Sequence, residues 1–517
     1  MSTLAEKAGE MFMVGFAGTD PEAAAELIQR YHAGGVILFS RNIGGAADTK
    51  ALCEGLQRLR REVSDSPLFI AIDQEGGCVA RITEGVTVFP GNMALGATGS
   101  ERLTRQAGTV MASELSALGI NVNLAPVLDI SSNPRNPGIG ARSFGFDPEL
   151  AARLGTAAIE GMQENGVFAA AKHFPGLGEA LVDSHDQLPV VHASAAQLEE
   201  RELKPFRAAI AAGATFIMTA HCAYSALDPS LAPATLSRPI LSDLLRERLR
   251  FEGIVITDCL EMASIENRFS TPDAALTAVR AGATMLLVCH TREKQITAIE
   301  TLGRAVERGD IPGQKIDAAT ATIASAKSRL QFFPDSSGDT DPQHSLSGAI
   351  ALEAITVADN KDAMIPLRLD ASEKLAVIAP AFDALTKVEE AAEPHEVLLK
   401  ELRHRCPSTY YRKVSVRPSA SEADECFEMC KNADKLLIIT YNLHLYPAQR
   451  EFVGRLLGLG KPAVVAAVRD PYDLAFVSEA SARVATYSFR ACSLRALVKV
   501  LFGESEANGT LPVELHL

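Results

Sequence analysis

The tripeptide Asp183-Ser184-His185 sets a carboxylate two residues from an imidazole, inside the run 176–186 that reads Gly-Leu-Gly-Glu-Ala-Leu-Val-Asp-Ser-His-Asp. Its glycines and polar residues predict a mobile loop. A carboxylate so close can hold the imidazole in one tautomer, raise its proton affinity and make it a proton donor and acceptor near neutral pH. In a solvated turn the same tripeptide would do no chemistry, so its neighbours decide. Asp258 ends the buried run Gly253-Ile-Val-Ile-Thr257, where a carboxylate is costly to bury without a task or a partner. It could attack an electrophilic carbon and form a covalent intermediate, or it could simply cap the helix that follows. Asp73 opens Asp-Gln-Glu-Gly-Gly77, where two glycines would let backbone approach a small polar ligand. Arg142, Lys172, His173, Asp129 and His221 add donors and acceptors suited to a polyhydroxylated ring, with buried ion pairs as the competing reading.

Most of these polar residues fall at the ends of apolar, β-branched runs. Eight such runs are predicted as strands: 12–16, 35–39, 69–73, 122–129, 169–173, 216–221, 254–258 and 285–289. Helix-like segments at 22–31, 103–118, 150–165, 195–212 and 240–249 lie between them. Eightfold strand–helix alternation predicts an α/β fold with an N-terminal (β/α)8 TIM-like barrel, whose carboxyl-end loops carry the site; a doubly wound sheet is the competing fold. Domain one is expected over 1–334, and a turn-rich linker over 335–347. The remainder, 348–517, alternates again and predicts a smaller αβα sandwich without a phosphate-cradling glycine loop. That domain is expected to serve packing or homodimerisation.

With 47% hydrophobic and 22% charged residues and no apolar stretch long enough to cross a bilayer, the sequence reads as a soluble globular protein rather than a membrane protein. The amino terminus lacks a basic region followed by an apolar core, so a cytoplasmic location is expected. A net charge of −14 argues against broad nucleic-acid or anionic-membrane binding, which needs a basic surface. Nine scattered cysteines fit reduced thiols better than a disulfide framework. Cys426 and Cys430 are one helical turn apart but lack two further soft ligands, so no metal or other cofactor is expected.

Seven segments together resemble the β-N-acetylglucosaminidases of glycoside hydrolase family 3: Ile72-Asp-Gln-Glu-Gly-Gly77, Phe89-Pro-Gly-Asn-Met-Ala-Leu-Gly96, Asn123-Leu-Ala-Pro-Val127, Arg142-Ser-Phe-Gly145, Lys172-His-Phe-Pro-Gly176, Asp183-Ser-His185 and Thr257-Asp258. In the second domain Ala351-Leu-Glu-Ala-Ile-Thr356, Leu501-Phe-Gly-Glu504 and Gly509-Thr-Leu-Pro512 resemble that family's αβα domain. The resemblance implies that Asp258 is the nucleophile of a retaining glycosidase and that Asp183–His185 is its acid/base dyad. It further implies that Asp73, Arg142, Lys172, His173 and Asp129 bind or shape the pocket of a non-reducing GlcNAc on a small oligosaccharide, from peptidoglycan or chitin. Leu177 stands where the family usually has a second loop histidine, Glu179 where Asp is common, and Thr284 where an acid is frequent. Related β-glucosidases typically place Trp after the nucleophile. This chain has no tryptophan, and Cys259 holds that place. A phosphorylase, in which phosphate takes the place of water, and a silent sugar-binding protein are the other readings.

Overall fold

Eight short parallel strands form the first sheet of the computed structural model, which describes residues 3–330, 340–370 and 372–515. In chain order they are β1 (Phe12–Val14), β2 (Gly35–Leu38), β3 (Phe69–Ile72), β4 (Val122–Asn123), β5 (Phe168–Phe174), β6 (Phe216–Thr219), β7 (Ile254–Thr257) and β8 (Leu286–Val288). Each neighbours the next, and β8 returns to pair in parallel with β1, Phe12 opposite Leu286. Between β7 and β8 the ladder thins to a bridge of Ile256 with Met285, supported by Thr257 N donating to Met285 O at 3.0 Å. The result is a nearly closed barrel, and not the open doubly wound sheet.

Strand interiors are buried on both faces, as expected where helices cover a parallel sheet. At the amino end of the barrel Phe69, Phe168 and Phe216, the first residues of β3, β5 and β6, pack together with ring centroids 5.3–6.3 Å apart. Each contact of this kind contributes about 0.5–1.5 kcal/mol beyond area burial. This plug closes one end and leaves the carboxyl end for a site. The expected strand 122–129 is cut short: β4 covers Val122–Asn123, and contact with β5 resumes only at the Val127–Lys172 bridge. Pro126 lies between and has no N–H to donate to a ladder.

Of the expected linker, residues 335–339 lie outside the described residues, and the rest starts the helix Thr340–Ala354. Six strands follow: β9 (Thr356–Asn360), β10 (Leu375–Pro380), β11 (Thr409–Val414), β12 (Lys435–Thr440), β13 (Ala463–Ala467) and β14 (Ala482–Ala485). Their order is β9-β14-β13-β12-β10-β11, parallel except for β9. Separate apolar clusters cover the two faces of this sheet, which makes it a sandwich. Both clusters include barrel residues, Cys78 and Val79 in one and Met93, Ala94 and Ala141 in the other, so the domains share their packing.

Candidate active site

A cavity of about 680 Å³ opens at the carboxyl end of the barrel, within the range of about 300–1,000 Å³ usual for small-molecule sites. Its apolar floor is Ile37, Leu124, Met218 and Leu287, and Asp73, Arg142, Lys172, His173, Asp183, His185 and Asp258 all line its wall. The structure therefore brings together seven of the nine residues singled out from sequence.

Asp183 and His185 sit on the loop between β5 and the short strand Val190–Val191. Asp183 Oδ1 accepts from His185 Nδ1 at 2.7 Å and from the His185 backbone N–H at 2.9 Å, which fixes the ring against its own loop. Burial alone would lower the His185 pKa, but the Asp183 carboxylate, helped by Asp258, raises it above the ordinary 6.5. Burial likewise pushes the Asp183 carboxyl up, and its bonds to His185 hold it lower. With Nδ1 committed to Asp183, Nε2 is the nitrogen left to exchange a proton with a ligand.

Asp258 follows the last residue of β7 and is half-buried. Burial opposes its charge, yet His221, His173 and His185 nearby outweigh that and hold its carboxyl below the usual carboxylate range. The Cys259 backbone N–H donates to its Oδ1 at 2.7 Å. It is thus an oriented carboxylate at a cavity wall, with an imidazole facing the same space.

Behind these groups lies an ion network that the sequence reading did not assemble. Lys172 Nζ sits 2.8 Å from Asp73 and 2.7 Å from Glu75, and Glu75 accepts both Nε and Nη2 of Arg142, at 2.9 and 2.8 Å. Burial works against charge on Glu75, but Arg142 and Lys172 hold its carboxyl far below its ordinary value. The pairing leaves Asp73, Lys172 and Arg142 rigid and directed, as ligand-orienting groups must be. Glu75 was legible only as one more acid in Asp-Gln-Glu-Gly-Gly; its double pairing depends on residues 67 and 97 positions away, so no local signal marked it.

Two expected pocket residues stand elsewhere. Asp129 is fully buried behind the wall, accepting from His173 Nδ1 at 2.7 Å and from Leu177 N at 2.6 Å, so it positions His173 rather than meeting a ligand. His221 is also buried, with Nδ1 against Thr235 Oγ1 at 2.7 Å and Nε2 against Cys259 O at 2.8 Å. Both its nitrogens are taken, which leaves only its field to act on Asp258. The second domain also does more than pack: Lys387, Val388, Glu389 and Glu390 line the cavity. Glu390 pairs with Arg81, and Lys387 Nζ lies 3.0 Å from Asp186 on the dyad loop. Among the described residues, Cys259, Cys289 and His290 are the group whose ligand atoms converge closely enough to hold a metal ion.

Residues 3–326 match the family model described as the glycosyl hydrolase family 3 N terminal domain. The chain belongs to that family. It is a glycoside hydrolase, and its relatives include β-hexosaminidase A of Pseudoalteromonas piscicida, 33% identical across 96% of this chain and 92% of that one. A β-hexosaminidase of Thiobacillus denitrificans is 39% identical over 50% of this chain and 72% of its own length. A family 3 β-N-acetylglucosaminidase from Paenibacillus sp. str. FPU-7 superposes with a TM-score of 0.94 at 38% identity, covering 100% of this chain and 99% of that one. A β-glucoside phosphorylase shares the fold, with a TM-score of 0.82 at 23% identity.

Within this glycoside hydrolase, the departures from the family pattern have local explanations. Leu177 offers no polar side chain, and the loop is held instead by Asn136 Nδ2, which donates to Leu177 O at 2.9 Å and Gly178 O at 3.0 Å. Tyr224 adds a bond from its hydroxyl to Gly176 O at 2.8 Å. Glu179 pairs with Arg201 at 2.5 Å, and Thr284 Oγ1 accepts from Arg246 at 2.7 Å.

Proposed function

We propose that this family 3 enzyme is a retaining β-N-acetylglucosaminidase acting on terminal, non-reducing β-linked GlcNAc. The observation that carries the reading is the enclosure of Asp258 and the Asp183–His185 dyad in one cavity. Likeness along nearly the whole chain to a β-N-acetylglucosaminidase and to a β-hexosaminidase supports the sugar. In the first step His185 Nε2–H protonates the departing glycosidic oxygen while Asp258 attacks the anomeric carbon, giving a glycosyl–aspartate ester and a neutral imidazole. In the second step that imidazole takes a proton from water as the water oxygen attacks the same carbon, which releases GlcNAc with retained configuration and restores both groups. A histidine acid also keeps a second carboxylate away from the nucleophile. Peptidoglycan-derived GlcNAc–anhydro-MurNAc is the proposed natural substrate, and a cytoplasmic location would suit such recycling.

Product analysis with GlcNAc–anhydro-MurNAc and chitobiose, with and without phosphate, tests the reading. Release of free GlcNAc, unchanged by phosphate, is expected, together with turnover of a chromogenic β-GlcNAc and not of the matching β-glucoside. GlcNAc 1-phosphate as product would replace hydrolysis by phosphorolysis. Absence of turnover between about pH 5 and 8, where a histidine acid/base titrates, would leave only a sugar-binding role.

A further inference from the structure

The two Cys and one His just after β7 and β8 lie outside the proposed reaction, and 29 residues of chain separate Cys259 from the Cys289-His290 pair. Barrel closure brings them together. Their ligand atoms all fall within 4.8 Å of one another, and all three residues line the cavity that holds Asp258. We propose that Cys259, Cys289 and His290 bind a soft divalent cation of the Zn²⁺ class, and that its binding inhibits the enzyme; the inhibition, but not the binding, rests on the function proposed above.

Two sulfurs and one imidazole suit zinc and cadmium and disfavour magnesium or calcium, which take oxygen ligands. Tetrahedral zinc with Zn–S near 2.3 Å and Zn–N near 2.0–2.1 Å needs ligand atoms about 3.6–3.8 Å apart, so side-chain adjustments of about 1 Å complete the set. Because all three residues line the cavity, water or a ligand oxygen could fill the fourth position. Arg41 Nη1 lies 3.4 Å from His290 Nδ1, so a metal ion bound at that nitrogen takes the place of the guanidinium contact. Binding replaces two thiol protons by the metal's two charges, which leaves the filled site neutral and avoids repulsion by Arg41. The cation would sit next to Asp258, whose Oδ1 already accepts from the Cys259 N–H, and would draw electron density from the carboxylate that must attack.

The test uses the full-length enzyme after chelator treatment, with Cd²⁺ as a spectroscopic probe and Zn²⁺ for inhibition. The expected result is one equivalent of Cd²⁺ giving a thiolate-to-metal charge-transfer band, and Zn²⁺ lowering activity by about tenfold or more, reversed by EDTA. Cys289→Ser should abolish the band, and His290→Ala, at an exposed side chain that can be changed without threatening the fold, should weaken Zn²⁺ binding by about 10–100-fold. No charge-transfer band in the wild type, or equal Zn²⁺ inhibition in wild type and both variants, would overturn the site and move any inhibition to the dyad or Asp258. A band without inhibition would overturn the coupling to activity. An enzyme without glycosidase activity would fail the functional reading alone, because the band reports the site independently.

Discussion

The molecule builds imidazole–carboxylate pairs in both domains, and two of them stand in opposite settings. At the barrel mouth His185 gives Nδ1 to Asp183 at 2.7 Å, and its partner is two residues away on the same loop. In the second domain His444 gives Nδ1 to Asp473 at 2.8 Å, but its Nε2 is also engaged, by Pro134 O of the barrel at 3.1 Å. His444 is buried and clamped from both sides, whereas the His185 side chain keeps 25% of its surface accessible in the cavity. The bond is the same; the free nitrogen is the difference. A pair with both nitrogens consumed ties two domains together, and a pair with one nitrogen facing a cavity can move protons.

The second domain's ties run further along the same barrel segment. Tyr472 Oη meets Ser131 Oγ at 2.9 Å, and Asp470 accepts from Ala141 N at 2.7 Å, in the turn Gly140–Arg142 that presents Arg142 to the cavity. The clamp of one region therefore sets the geometry of the other.

Substitutions can break this contrast. The largest effect is expected at the carboxylate that His185 faces: Asp258→Asn should lower kcat/KM on a chromogenic β-GlcNAc by about 10⁴-fold or more, and near-normal activity would displace Asp258 as nucleophile. His185→Ala should follow, with a loss of about 10²–10⁴-fold for substrates with poor leaving groups and much less for activated ones; equal losses for both would remove the acid role. Asp183→Asn sharpens the comparison through pH. In the proposed first step His185 donates a proton, and its pKa is raised from 6.5, so activity should fall as pH rises through a value above that figure. Removing the charge and acceptor of Asp183 should move this alkaline limb to lower pH, seen in the kcat/KM profile. His444→Ala should instead lower thermal stability, by about 1–3 kcal/mol, and leave the limb in place. The smallest effect is expected for Lys387→Ala, because its ion pair with Asp186 is 68% exposed on both sides and contributes about 0–1 kcal/mol, read as a small change in KM.

Much of the site was legible before any geometry. Asp258 stood out as an acid after four buried β-branched or small residues, and the dyad was visible because its two members are two positions apart. Interactions that span the chain were not legible. Glu75 gains its cations through β5 and the Gly140–Arg142 turn, Asp129 turns inward because His173 and Leu177 present donors there, and His221 loses its free nitrogen to Cys259 O. Strand β11 escaped notice for a related reason. As an edge strand it alternates Thr-Tyr-Tyr-Arg-Lys-Val with its middle side chains partly exposed, so it lacks the apolar run by which interior strands are recognised.

The sequence by itself determined the barrel strands, the alternation that follows them and the chemical type of each candidate group, because those follow from local periodicity and side-chain identity. Only the tertiary structure decided which groups share a cavity, which are clamped, and that Lys387 to Glu390 of the second domain reach the barrel mouth. Closure of a sheet and the docking of two domains join residues tens to hundreds of positions apart, and no local pattern encodes the distance between them.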